Sequence, residues 1–191
     1  MVYNSIWGNG GCVRQTAHGS FQKLTLNYPD RGTIMTYLTQ SEQDTLSFAS
    51  RLSPMLAAGD AVLLTGDLGA GKSVLARGIA RGMGIAGPMP SPTFTLMVPY
   101  EAGGRKLYHF DLYRLSDPDE YYAAGLDEFV GGDGVAVVEW PQMAELDASP
   151  ALHIELTRGA TDDERRISIE NDGVAGYDPA ALEDWRDDHG D

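Results

Sequence analysis

The chain has 191 residues, enough for one domain with a substantial core, and its 42% apolar and 22% charged content fits a globular protein rather than a disordered or fibrous one. No apolar run approaches the roughly 20 residues of a membrane-spanning helix, and the single cysteine, Cys12, supports neither a disulfide framework nor a zinc site. The formal net charge of -14 argues against broad electrostatic binding to a nucleic-acid backbone.

Residues 1–35 are rich in Gly, Asn, Thr and Ser without a sustained apolar period, so a disordered extension is expected, with Met35 as a candidate start. The first residues lack a basic start followed by an apolar stretch, so no secretory leader is expected and a cytoplasmic location follows. Patterned sequence over 36–170 is read as the domain proper. Ser41 is a candidate N-cap with Asp44 three residues on, and Leu46, Ala49, Leu52 and Leu56 share a helical face that ends at Gly59. Ala61 to Thr65 reads as a strand buried on both faces. A turn over Gly66 to Gly71 and a helix from Lys72 to Met83, closed by Gly84, follow.

Phe94–Tyr100 and Arg105–Leu112 read as a hairpin about Gly103-Gly104, and Ser116 as the cap of a helix that stops at Gly125. Val135 to Trp140 is a second buried strand, ended by Pro141. Leu152–Thr157 and Arg165–Ile169 make a last hairpin. Residues 171–191 carry seven acids against Arg186 alone and read as an acidic tail. The expected architecture is α/β: a single P-loop NTPase-like domain, with a central mixed sheet flanked by helices and antiparallel additions.

Gly66, Gly71, Lys72 and Ser73 satisfy G-x-x-x-x-G-K-[ST]. A strand delivers the chain to a loop whose amides converge on a phosphate, and the next helix aims its positive end at the same anion. Lys72 adds a point charge for the β- and γ-phosphates, and the Ser73 hydroxyl is a hard ligand for magnesium. Chance gives this pattern in a chain of this size on the order of once in a hundred, and here it stands between the expected strand and helix.

Glu139, at the tip of a buried strand, is the candidate second magnesium ligand. Asp111 shares a strand face with His109, opposite Tyr108, Phe110 and Leu112, and is the candidate for positioning the attacking water. His109 reads as structural, and Trp140 as either core or site. Thr93 lies on a loop whose hydroxyl can sense the γ-phosphate, as switch loops do.

These segments together resemble the bacterial TsaE family, the ATPase subunits of the machinery that forms threonylcarbamoyladenosine in tRNA. The resemblance is carried by Gly66 to Ser73, Ser91-Pro92-Thr93-Phe94-Thr95-Leu96, His109-Phe110-Asp111-Leu112-Tyr113-Arg114-Leu115 and Val138-Glu139-Trp140-Pro141. It implies an ATPase that uses ATP/ADP and Mg2+ beside a two-protein threonylcarbamoyl-transferase core. That core modifies the adenosine at position 37, and the ATPase meets tRNA only indirectly and no membrane. By matching position, Asp111, Lys72 and Thr93 are catalytic, and Ser73 and Glu139 bind metal. Glu42, Asp67, Leu68, Gly69, Ala70, Gly71, Lys72, Ser73 and Asp111 bind nucleotide. The family usually has Thr where Ser73 stands, which keeps the hydroxyl.

The alternatives are a P-loop small-molecule or nucleoside kinase and a nucleotide-gated binding module. A kinase normally closes an Arg-rich lid, yet between Leu112 and Glu139 the only base is Arg114, among six acids.

Overall fold

A computed structural model describes the backbone of residues 4–8, 11–18, 21–28 and 32–182, with side chains described from residue 33 onward. Its strands are β1 (Asn4–Gly8), β2 (Gly11–His18), β3 (Phe21–Tyr28), β4 (Gly32–Thr39), β5 (Ala61–Thr65), β6 (Met97–Ala102), β7 (Arg105–Asp111), β8 (Val135–Glu139), β9 (Ala151–Arg158) and β10 (Arg165–Asp172). The helices are α1 (Glu42–Leu52), α2 (Lys72–Gly82) and the short α3 (Asp119–Ala123). All ten strands join one sheet in the order β1-β2-β3-β4-β10-β9-β5-β8-β7-β6. The central pairs β9/β5, β5/β8 and β8/β7 are parallel and the flanking pairs antiparallel, so the expected mixed α/β sheet is the observed one.

Period-two alternation in the central strands sorts residues to opposite faces of this sheet. Val62, Leu64, Val135, Val137 and Leu107 face the cluster formed with α1 and α2, which contributes Phe48, Leu52, Leu75 and Ile79. Ala61, Leu63, Ala136, Val138, Tyr108 and Phe110 face the other layer, where Tyr121 of α3 packs. By the same parity Glu139, His109 and Asp111 belong to the α2 face, and the β7/β8 register sets Asp111 beside Glu139.

Ser41 caps α1, its side chain accepting from the Asp44 amide at 3.0 Å. Helix α1 crosses α2 at very short range. A Cβ on Gly78 would lie 2.5 Å from the Ala49 Cβ and 2.6 Å from the Leu46 carbonyl oxygen, so only glycine fits the crossing. This contact fixes α2, whose first residues are Lys72 and Ser73, against α1.

Four expectations are corrected. The 1–35 segment, expected to be disordered, carries β1, β2 and β3 over its described residues. They build outward from β4 as an antiparallel meander. Its Gly, Asn and Thr content hides the strand period, and pairing with the edge of β4 satisfies backbone groups that no local pattern announces. The acidic tail read over 171–191 does not begin at 171, because β10 runs to Asp172 and Val174 and Leu182 are buried in the main core; residues 183–191 lie outside the described set. Helix α3 starts from Pro118 with no side-chain cap, so Ser116 does not cap it; Asp117 accepts from the Asp119 amide at 2.9 Å in the turn that leads in. Trp140 is not strand: its φ of +61° turns the chain out of β8.

Candidate active site

The chain leaves β5 at Gly66 with φ +131°, where a Cβ would stand 2.2 Å from the Leu156 carbonyl oxygen of β9. The loop closes with the Ala70 amide donating to the Asp67 carbonyl at 3.1 Å, and α2 starts at Gly71 in the left-handed region. Lys72 is buried at 4% exposure. Its ammonium donates to the carbonyls of Gly66 at 2.7 Å and Asp67 at 2.8 Å, and lies 3.7 Å from the centroid of the Trp140 ring. Burial lowers its pKa below 10.5, while the nearby carboxylates of Glu139, Asp111 and Asp67 pull the other way. The lysine thus rests on its own loop, within the concavity where amides would meet an anion.

Ser73, one residue on, donates from Oγ to Glu139 Oε2 at 2.9 Å, and Glu139 Oε1 meets His109 Nε2 at 2.8 Å. Asp111 Oδ2 accepts from Ser91 Oγ at 2.8 Å and from Thr93 Oγ1 at 2.6 Å, and Oδ1 from the Tyr113 amide at 3.2 Å. The loop before β6 is therefore clamped onto the acid at the end of β7. Trp140 packs on Tyr113 with ring centroids 5.0 Å apart.

A cavity of 520 Å³ opens among these groups. Of the expected residues, Glu42, Leu68, Gly69, Gly71, Lys72, Ser73, Thr93, Asp111 and Glu139 line it, and Glu42 is also paired with Arg77 at 3.0 Å. Asp67 and Ala70 stand in the loop but not on the wall: Ala70 is buried in the core, and Asp67 contributes the carbonyl that holds Lys72.

The sequence reading missed Ser91, Tyr113, Asp163 and Arg165, which also line the cavity. Ser91 and Tyr113 lie within the motifs at 91–96 and 109–115, but only Thr93 and Asp111 of those segments carried an assigned role. Arg165 carried no local signal, because it arrives from the β9–β10 hairpin, far along the chain from the loop it overhangs. Its Nη1 is held by the carbonyls of Asp162 at 2.6 Å and Glu164 at 2.8 Å.

The donor set can be tested against magnesium. Ser73 Oγ and Glu139 Oε2 are hard oxygens already within hydrogen-bond reach of each other, and no cluster of three or more His, Cys, Asp or Glu able to hold a metal occurs among the described residues. A site offering only a hydroxyl and a carboxylate suits Mg2+, which keeps waters and takes its other ligands from phosphate.

A parallel-strand tip feeding a glycine loop, a buried lysine and a helix N-terminus, opposite an acid on the neighbouring strand, defines a P-loop-like α/β fold. Residues 39–167 match the family model described as threonylcarbamoyl adenosine biosynthesis protein TsaE. The chain belongs to the TsaE family. Among relatives named tRNA threonylcarbamoyladenosine biosynthesis protein TsaE, the one from Bacillus subtilis is 38% identical over 136 residues, covering 71% of this chain and 84% of its own. That from Haemophilus influenzae is 40% identical over 108 residues, 56% of this chain and 68% of its own. That from Mycobacterium tuberculosis is 42% identical over 133 residues, with 64% and 79% covered. The crystal structure of Bacillus subtilis YdiB superposes with a TM-score of 0.61 at 35% identity, covering 73% of this chain and 86% of that one. Among the described residues no helix is long and apolar enough to cross a membrane.

Proposed function

We propose that the protein serves tRNA threonylcarbamoyladenosine biosynthesis as its ATP-binding and ATP-hydrolysing subunit. In this reading it works in the cytoplasm on a two-protein threonylcarbamoyl-transferase core and meets tRNA only through it. The observation that supports this most is the convergence of Lys72, Ser73, Asp111 and Glu139 on one cavity beside the glycine loop. Lys72 is poised to exchange two carbonyls for phosphate oxygens. Ser73 and Glu139 are the residues to hold Mg2+, which when bound neutralises charge on the β- and γ-phosphates. Asp111 faces the same space and orients the attacking water, with Ser91 and Thr93 fixing its carboxylate. Arg114, the one base where a kinase would carry its lid, instead sits 4.6 Å over the Phe94 ring.

The test is threonylcarbamoyl transfer to tRNA under multiple-turnover conditions, with the transferase core and with this protein present or omitted. Product is expected to stop near one turnover when it is omitted; equal product in both reactions defeats the reading. Asp111→Asn and Glu139→Ala are expected to keep measurable ADP binding, because loop amides supply much of the phosphate grip. Each is expected to lose about 100-fold or more in hydrolysis, and near wild-type turnover removes that residue from the list.

A further inference from the structure

Glu139 has a buried neighbour on β7, His109, to which neither phosphate nor metal binding assigns a part. His109 and Glu139 have side-chain exposures of 1% and 3%, and their contact is 2.8 Å. A carboxylate at that depth needs a donor for each oxygen. Ser73 supplies one to Oε2, and among the described residues the only donor to Oε1 is His109 Nε2. Because a carboxylate only accepts, Nε2 carries the proton and donates. Nδ1 is buried with no hydrogen-bond partner.

We propose that His109 is a positioning residue for the metal ligand Glu139. Its Nε2–H holds Oε1 inward, so that Oε2 stays turned toward Ser73 and the magnesium position. Without this donor the carboxylate is free to turn toward the Lys72 ammonium, whose charge already feels Glu139, and away from the magnesium position. Strand parity is what permits the contact: 107, 109 and 111 alternate onto the face that 135, 137 and 139 share. Outer partners that orient a ligand typically account for about 10- to 100-fold in metal affinity.

This inference rests on Ser73 and Glu139 holding Mg2+, and the experiment separates the two ideas. ADP binding to the full chain is measured by calorimetry in EDTA and across a Mg2+ series, with Mn2+ binding to the ADP complex followed by electron paramagnetic resonance. His109→Leu is expected to leave metal-free ADP affinity at the wild-type value, which also reports an intact fold, and to weaken Mn2+ and Mg2+ binding about 10- to 100-fold. His109→Gln, whose amide nitrogen reaches the Nε2 position, is expected to restore most of it, and the shorter His109→Asn is not. The Gln and Asn pair still decides the matter if the Leu variant does not fold. Wild-type metal affinity in His109→Leu, or equal losses in Gln and Asn, overturns the positioning role while leaving the metal site standing. Wild-type protein whose ADP affinity ignores Mg2+, or a Glu139→Ala variant with unchanged Mn2+ binding, overturns the metal site and this role with it.

Discussion

Gly66→Ala places one methyl group where the phosphate loop meets the sheet, and its consequence can be worked from the geometry. The new Cβ would stand 2.2 Å from the Leu156 carbonyl oxygen, whereas carbon–oxygen contacts settle at about 3.3 Å or more. Roughly 1 Å must therefore be opened. Strand β9 does not yield easily, because it is paired on both sides by β5 and β10 and the Leu156 side chain is fully buried. The loop must move instead. A left-handed backbone costs a non-glycine residue about 1–2 kcal/mol, and forced overpacking about 1–3 kcal/mol more. Gly87→Ala is the matched control: its φ of +97° carries the same kind of backbone strain, but a Cβ there meets nothing within 4 Å. The difference between the variants isolates the clash. At about 2 kcal/mol it is roughly 4–8 °C of Tm in a domain of this size. Calorimetric melting of both is the assay, paired with ADP titration, in which only Gly66→Ala is expected to lose affinity. Equal melting temperatures, or unchanged ADP affinity in Gly66→Ala, would refute the argument that this approach shapes the loop.

Two further outcomes follow from the burial of Lys72 and of Leu182. Lys72 has its pKa lowered by burial, so in the free protein its charge weakens the fold below that lowered value, and stability rises as pH climbs from there toward 10.5. An anionic phosphate favours the protonated form. ADP binding in this window is thus expected to take up protons, seen as a binding enthalpy that varies with buffer ionisation heat and ceases to vary in Lys72→Met; equal enthalpies in two buffers speak against it. Leu182→Ala, at a fully buried position after the last strand, is expected to cost about 2–5 kcal/mol of stability. A melting temperature within a degree of wild type would mean that this segment does not pack on the core.

The sequence by itself determined whatever depends on neighbours in the chain. The glycine loop between Thr65 and Lys72, the Ser41 cap, the Gly103-Gly104 turn and the alternation of 107–111 and 135–139 are each set by local dihedrals and a short period. From that alternation the common face of His109 and Asp111 was already legible. The four-motif order was enough to carry the family.

The tertiary structure decided what depends on pairing between distant segments. Nothing local says that β4 borders β10, that β1, β2 and β3 extend the sheet beyond β4, or that Val174 and Leu182 return to the core. The same holds at the site. Ser91 reaches Asp111 across 20 residues, Arg165 overhangs the loop from a hairpin near the other end of the chain, and His109 finds Glu139 only because two parallel strands align at one register. Backbone hydrogen bonding along a sheet edge accepts many partners, and the chain alone does not rank them. The choice is made when two layers of side chains bury opposite faces of the same strands, and a one-residue slip of register would turn every one of those side chains to the wrong layer.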